Sequence, residues 1–176
     1  AADHGRLINV GRARGSYCEN QSSEETERLF VDMARKICDY GEPKGVTLMI
    51  EPVNRYEINF INSVEEGADI LRRVDRSNIG LMPDVFHMNI EDRRIGQAFI
   101  DNADFVKYVH LADSDRSAPG QAHLDFDDIF DGLSRAGFDG WVSIEILPVP
   151  DPDTAAKQAV EFILPRIDKY RPLVPA

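Results

Sequence analysis

Cysteine is scarce in this chain: only Cys18 and Cys38 occur among 176 residues, one in a loop-like segment and one in a helical pattern. With no CxxC pair, the sequence argues against a structural thiolate-zinc site and fits a reducing, cytoplasmic setting. No apolar run approaches the roughly 20 residues that span a bilayer, so a soluble protein with no membrane partner is expected. The opening residues, Ala1-Ala2-Asp3-His4-Gly5-Arg6, show no basic region followed by an apolar core, so no secretory leader is read there. Positive charge is also in short supply. The 31 acidic residues outnumber 20 basic ones for a net charge of −11, which repels phosphate backbones and sets nucleic acid aside as a partner. The acidic excess is read as a solvated surface. A Gly-rich phosphate cradle and a lysine cluster are missing too, which disfavours a phosphorylated substrate.

What remains is an ordinary globular composition, 43% hydrophobic and 29% charged, long enough for one domain over 1–176 with a sizeable core. Short apolar runs alternate with helical periodicity, the signature of βα units and an α/β fold. Strand candidates are Leu7–Gly11, Val46–Ile50, Asn78–Met82, Phe105–Val109 and Trp141–Ile144. Capping-box patterns at Ser22–Glu25 and Ser63–Glu66 open two helices. The first presents Phe30, Met33, Ala34 and Ile37 on one face and ends at Gly41 and Pro43; the second buries Val64, Ala68, Leu71 and Val74. Further helices are expected over 91–102, around Phe126, Ile129, Phe130 and Leu133, and from about Thr154 to Tyr170 with a bend at Pro165. The tail 171–176 reads as irregular.

Four of the strands run into a polar residue that can bind metal: Glu51, Asp84, His110 and Glu145, spaced by 33, 26 and 35 residues. In a parallel barrel the C-terminal strand ends face one mouth, so four such residues on successive strands can converge on one ion. Three carboxylates and an imidazole form a hard donor set suited to Mn²⁺, Mg²⁺ or Co²⁺. Around them lie Arg55 and Glu57 after Glu51, His87 after Asp84 and Arg116 after His110, donors and charges of the kind that hold a polyhydroxylated carbonyl compound. Taken singly, each of these residues is as well explained by a cap, a core hydrogen bond or a loop salt bridge.

The segments Ile50-Glu51-Pro52-Val53-Asn54-Arg55-Tyr56-Glu57, Asp84-Val85-Phe86-His87-Met88-Asn89-Ile90-Glu91, His110-Leu111-Ala112-Asp113-Ser114-Asp115-Arg116 and Pro119-Gly120 resemble the sugar phosphate isomerase/epimerase superfamily, the xylose-isomerase-like TIM barrels. Within it they are most similar to ketose 3-epimerases and keto-sugar-acid epimerases. The resemblance implies a (β/α)8 TIM-barrel type of fold, of which this chain holds about the last five βα units. It implies a divalent metal, Mn²⁺ first, held by Glu51, Asp84, His110 and Glu145. Glu51 and Glu145 would double as the acid/base pair that inverts C3 of a keto-sugar through an enediolate. Glu57, His87 and Arg116 would bind the O1–O2 end of that small-molecule substrate. An aldose–ketose isomerase, or an inactive fragment of such an enzyme, are the alternatives. A homo-oligomer, dimer or tetramer, is expected.

Three departures from the family pattern matter. Pro83 precedes Asp84 and removes a strand donor. Ala122 stands where a glycine is common and is expected to alter the loop. A closed barrel takes about 250 residues, so the natural protein is expected to be longer or partner chains to cover two open strand edges.

Overall fold

Five short apolar segments form strands, and each later one pairs in parallel with its predecessor. In the computed structural model, which describes residues 6–170, these are β1 (Leu7–Val10), β2 (Thr47–Ile50), β3 (Ile79–Leu81), β4 (Tyr108–Leu111) and β5 (Trp141–Ile144). The tail expected to be irregular lies outside the described residues. β1, β2 and β3 align Val10 with Ile50 and Ile50 with Leu81, and β4 aligns Leu111 with Ile144 on β5.

Between β3 and β4 the pairing thins to two bridges, Leu81 with Val106 and Asp84 with His110. The disturbance expected at Pro83 is visible here: β3 stops at Leu81, and Pro83 contributes only its carbonyl, which accepts the His110 N–H at 2.9 Å. The resulting strand order follows chain order, as parallel crossovers through helices require.

The crossovers are α1 (Ser23–Gly41), α2 (Val64–Val74), the pair α3 (Val85–Glu91) and α4 (Ile95–Asp101), then α5 (Phe126–Arg135), with α6 (Pro152–Tyr170) after β5. Both serine caps form. Ser22 Oγ accepts the Glu25 N–H at 3.1 Å and Ser63 Oγ that of Glu66 at 3.2 Å. The Glu66 carboxylate reaches back to the N–H of Asn62 at 2.7 Å, one residue before the cap.

Two expectations need correction. The helix expected over 91–102 is the shorter α4, and an unexpected helix, α3, precedes it, because Asp84 itself caps α3 by accepting the Phe86 N–H at 2.9 Å. Helix thus begins directly after a strand-end carboxylate. On α1 the buried stripe is Phe30, Val31, Ala34 and Cys38, whereas Met33 is 37% exposed.

The core lies between the strands and these helices, with Leu48, Ile50, Leu81, Val109 and Leu111 facing Val64, Leu71, Phe99 and Ile129. Among the described residues β1 pairs only with β2 and β5 only with β4. Both edges carry exposed apolar side chains, Leu7 at 43% and Trp141 at 75%. No helix among the described residues is long and apolar enough to cross a membrane.

α4 and α5 cross at a glycine pair. A Cβ built on Gly132 would lie 2.4 Å from the backbone of Gly96, whose own N–H is taken by the Asp128 carboxylate at 3.0 Å. The contact admits no side chain, so Gly132→Ala must force the helices apart. It is expected to destabilise the chain by about 1–3 kcal/mol, read as a lower urea midpoint; an unchanged midpoint would show that the crossing yields at no cost.

Candidate metal centre

The backbone aims the four predicted ligands before their side chains are considered. Glu51 donates its N–H to Val10 at 3.3 Å, His110 to Pro83 at 2.9 Å and Glu145 to Leu111 at 3.1 Å. Each is thereby tied to the preceding strand end, and Asp84 is fixed by its role as the cap of α3. One ligand atom from each of Glu51, Asp84, His110 and Glu145 lies within 4.8 Å of all the others. The sequence places these residues at four strand ends, and the fold gathers all of them.

Their surroundings differ. Asp84 is fully buried and Glu51 nearly so, while Glu145 is exposed. Burial would raise the Glu51 pKa, but the nearby His110 imidazole and a hydrogen bond from Asn9 hold it below the ordinary glutamate value. Asn9 Nδ2 donates to Glu51 Oε2 at 2.8 Å. Gly11 leaves room for that carboxylate, since a Cβ there would approach Oε2 to 3.0 Å.

Asp84 shows the opposite balance. Desolvation lifts its pKa to about 7 despite the Arg116 guanidinium, with Glu145 adding to the rise. Glu145 moves down: burial raises it, but the hydrogen bond to Asp84 and the charges of His110 and Arg116 prevail. The two carboxyls thus influence each other's titration, Asp84 moving up and Glu145 down.

His110 Nδ1 lies 3.0 Å from Glu145 Oε2 and 3.5 Å from Glu51 Oε1. It is buried, yet it makes no hydrogen bond of acceptable geometry. Burial works against its protonation, but the Glu51, Glu145 and Asp84 carboxylates raise its pKa overall. A buried ring nitrogen surrounded by carboxylates and left without a hydrogen bond is what a ligand to a cation looks like. The charge count agrees. With all three carboxylates ionised, as ligation requires, the single guanidinium of Arg116 leaves two negative charges, which a divalent cation neutralises. The donor set fits a hard dication.

The three other predicted residues surround this cluster. Arg116, in the left-handed region at φ 66°, directs Nη1 to Asp84 Oδ2 and to Glu145 Oε2 at 3.3 Å. Its guanidinium also covers the Phe86 ring at 4.4 Å. His87, on α3, is 3% exposed; its Nδ1 meets Asn54 Nδ2 at 2.8 Å and its Nε2 lies 3.4 Å from Arg116 Nη2. Burial and the nearby Arg116 charge lower its pKa, so the ring is neutral. Both ring nitrogens face donors; the shorter bond, from Asn54, makes Nδ1 the acceptor and puts the proton on Nε2, which leaves the 3.4 Å approach to Arg116 Nη2 as a contact between two donors. Glu57 accepts from the same Asn54 amide at 3.0 Å, 3.9 Å from His87 Nδ1, and pairs with Arg12 at 3.5 Å. Arg55 turns away to Glu91 at 2.7 Å.

Sequence reasoning missed Asn9, Arg14, Asn54 and Asp113. Arg14 is 5% exposed and, among the described residues, has no carboxylate partner. Its guanidinium donates instead to the carbonyls of Gly11 at 2.6 Å, Glu51 at 2.8 Å, Phe60 at 2.9 Å and Ile61 at 2.7 Å. Burial pulls its pKa down to about 10, which leaves it charged at neutral pH. Nothing in the segment Gly11-Arg12-Ala13-Arg14-Gly15 distinguishes it from a surface arginine. Asn54 had a signal, since it lies inside the quoted motif after Glu51.

Comparison with known proteins places this geometry. A ketose 3-epimerase from Arthrobacter globiformis is 36% identical over 110 residues, covering 62% of this chain and 38% of that protein. An inosose isomerase from Bacillus subtilis is 30% identical over 149 residues, covering 78% of this chain and 53% of that protein. The solved structure of an L-ribulose 3-epimerase superposes with a TM-score of 0.85 at 28% identity, covering 95% of this chain and 63% of that one. The chain thus spans about half the length of the curated relatives it matches. The xylose isomerase-like TIM barrel family matches residues 3–166. With its five parallel βα units and its strand-end ligands, the chain belongs to that family.

Proposed function

We propose that this chain carries the catalytic centre of a divalent-metal-dependent epimerase acting at C3 of a keto-sugar, with the described elements working as one domain. The observation that carries the reading is the convergence of Glu51, Asp84, His110 and Glu145 within 4.8 Å. These four would hold the ion, manganese first and magnesium or cobalt as substitutes. When bound, the ion supplies an electrophile that acidifies a C–H beside a carbonyl.

The remaining work falls to the chain. Inverting a carbon by proton exchange takes two bases on opposite faces. Glu51 ends β2 and Glu145 ends β5, with β3 and β4 between them, so the two carboxylates approach the site from different sides. Glu51, held ionised by Asn9 and His110, and Glu145, held ionised beside Asp84, are both ready to accept a proton. One takes the C3 proton, and the other, protonated from solvent before it acts, returns its proton to the opposite face, so one proton enters and one leaves the pair per inversion. Arg116, His87 through Nε2–H and Glu57 would hold the O1–O2 end of the substrate. Exclusion of water on one side of the site follows from the burial of Asp84 and His87. The same reading includes an unphosphorylated substrate and a cytoplasmic homo-oligomer.

A second reading rests on the similarity to an inosose isomerase: the proton then moves between neighbouring carbons instead of inverting one, with the same ligands.

Deuterium exchange at substrate carbons, read by NMR over a panel of ketoses with Mn²⁺ present, separates the two by the position labelled. Glu51→Gln and Glu145→Gln are each expected to reduce exchange by about 10²-fold or more while circular dichroism stays unchanged. Near-normal turnover in either variant would remove that glutamate from the chemistry.

Metal uptake has a pH signature of its own. Asp84 retains a proton up to about pH 7 in the metal-free protein and must lose it to ligate. His110, also raised, must be neutral. Both shifts act in one direction, so affinity falls as pH drops below about 7, by up to about tenfold per unit for each proton released. Calorimetry of Mn²⁺ binding in buffers of different ionisation enthalpy reads the proton directly. An affinity constant between about pH 6 and about pH 8 would contradict this balance.

A further inference from the structure

The loop after β4, residues 113–124, folds around a single carboxylate. Asp113 is 0% exposed, and its two oxygens accept four backbone N–H groups. Oδ1 takes those of Ser114 at 2.8 Å and Leu124 at 3.0 Å, and Oδ2 those of Gly120 at 2.8 Å and Ala122 at 3.0 Å. The Asp113 backbone adds two bonds of its own, its N–H to Ser117 O and its carbonyl to the Arg116 N–H, both at 3.0 Å. Burial alone would raise this carboxyl, but the four amides hold it below the ordinary aspartate range. Among the described residues no cation partners it. The charge is balanced entirely by the backbone of the loop it organises.

That loop carries Arg116. At φ 66° its backbone sits where an L-residue is strained, so the surrounding hydrogen bonds must impose the conformation. Arg116 O accepts the Leu147 N–H at 2.8 Å, which ties the loop to the chain just after Glu145. The result points Nη1 at Asp84 and Glu145.

We propose that Asp113 is a positioning residue, which sets the Arg116 guanidinium against Asp84 and Glu145 by gathering the backbone of residues 113–124 around its own carboxylate. The inference rests on the metal reading given above, because it makes Arg116 a built-in counter-cation that shares two carboxylates with the ion. Held in place, the guanidinium lowers the affinity for a dication through like-charge repulsion. Released, it ceases to compete.

The direction of this effect separates positioning from scaffolding, since loss of a merely structural hydrogen bond would loosen the site and weaken metal binding. The test is a cycle of four full-length proteins, wild type, Asp113→Asn, Arg116→Met and the double variant, titrated with Mn²⁺ by calorimetry at a temperature where circular dichroism shows each folded. Arg116→Met is expected to tighten Mn²⁺ binding about tenfold. Asp113→Asn, nearly isosteric, turns an acceptor into a donor facing backbone N–H groups and is expected to tighten it several-fold in the wild-type background. In the Arg116→Met background the same substitution is expected to do so by less than about twofold, because its route is gone.

Equal effects of Asp113→Asn in both backgrounds, or a weakened affinity in the wild-type background, overturn the proposal. Should the asparagine variant not fold, Asp113→Ser, which retains one acceptor, takes its place in the cycle. A wild type that takes up no Mn²⁺ overturns the metal reading by itself. The same four proteins compared in urea unfolding then decide whether Asp113 acts through Arg116, since additive midpoint shifts would sever the link.

Discussion

Three carboxylates whose ligand atoms lie within 4.8 Å of one another and of one imidazole nitrogen repel one another, and the rest of this structure accommodates that repulsion. Asp84 bears most of it, being fully buried and pushed up to a pKa of about 7. Arg116 offsets part of the charge from one side, and Asn9 stabilises Glu51 from the other. What keeps the cluster from relaxing is backbone. Parallel pairing fixes the spacing of strand ends, and three of the four ligands donate their own N–H groups to the strand before. The side chains cannot separate without breaking strand pairing, so the fold holds ready a charge arrangement that a divalent ion would complete.

Two buried charges of opposite sign hold the loops over this cluster, and both are satisfied by peptide groups. Arg14 gathers four carbonyls from the ends of β1 and β2 and from the loop after β2, and Asp113 gathers four amides from the loop after β4. A charged group bonded to peptide dipoles organises chain direction, and it leaves no second side chain whose rotamer must also be fixed. It suits loops that must place one or two side chains accurately. The first loop thereby positions Asn54 and Glu57 beside His87, and the second positions Arg116.

Much of this was legible in the sequence, and the boundary of what was legible has a physical cause. Alternating apolar runs and helical stripes marked the βα order, and the polar residues closing the runs marked the side chains that converge, because strand ends in a parallel sheet share one face. Short-range chemistry was legible too, as with the serine caps at Ser22 and Ser63 and the interrupted pairing at Pro83. Local pattern failed where a residue's partners lie far along the chain. Arg14 meets carbonyls 37 to 47 residues further on, and no spacing rule anticipates a guanidinium bonded to backbone. Asp113 stood inside a quoted motif, yet its role depends on a loop that doubles back. Ala122 was expected to alter that loop, but its N–H serves Asp113 as the loop's design requires. The presence of α3 was hidden because Asp84 serves at once as a strand-end carboxylate and a helix cap.

The alignment of β4 with its neighbours has one more consequence. A slip of two residues along β4 would preserve which side chains face the helices and which face the barrel axis, so the apolar core would register little change. The slip would, however, put Tyr108 or Ala112 where His110 stands opposite Asp84 and Ser143. Neither can complete the ligand set. A bound ion would therefore stabilise one alignment among several that hydrophobic packing tolerates, acting as a proofreader of strand alignment as well as a reagent.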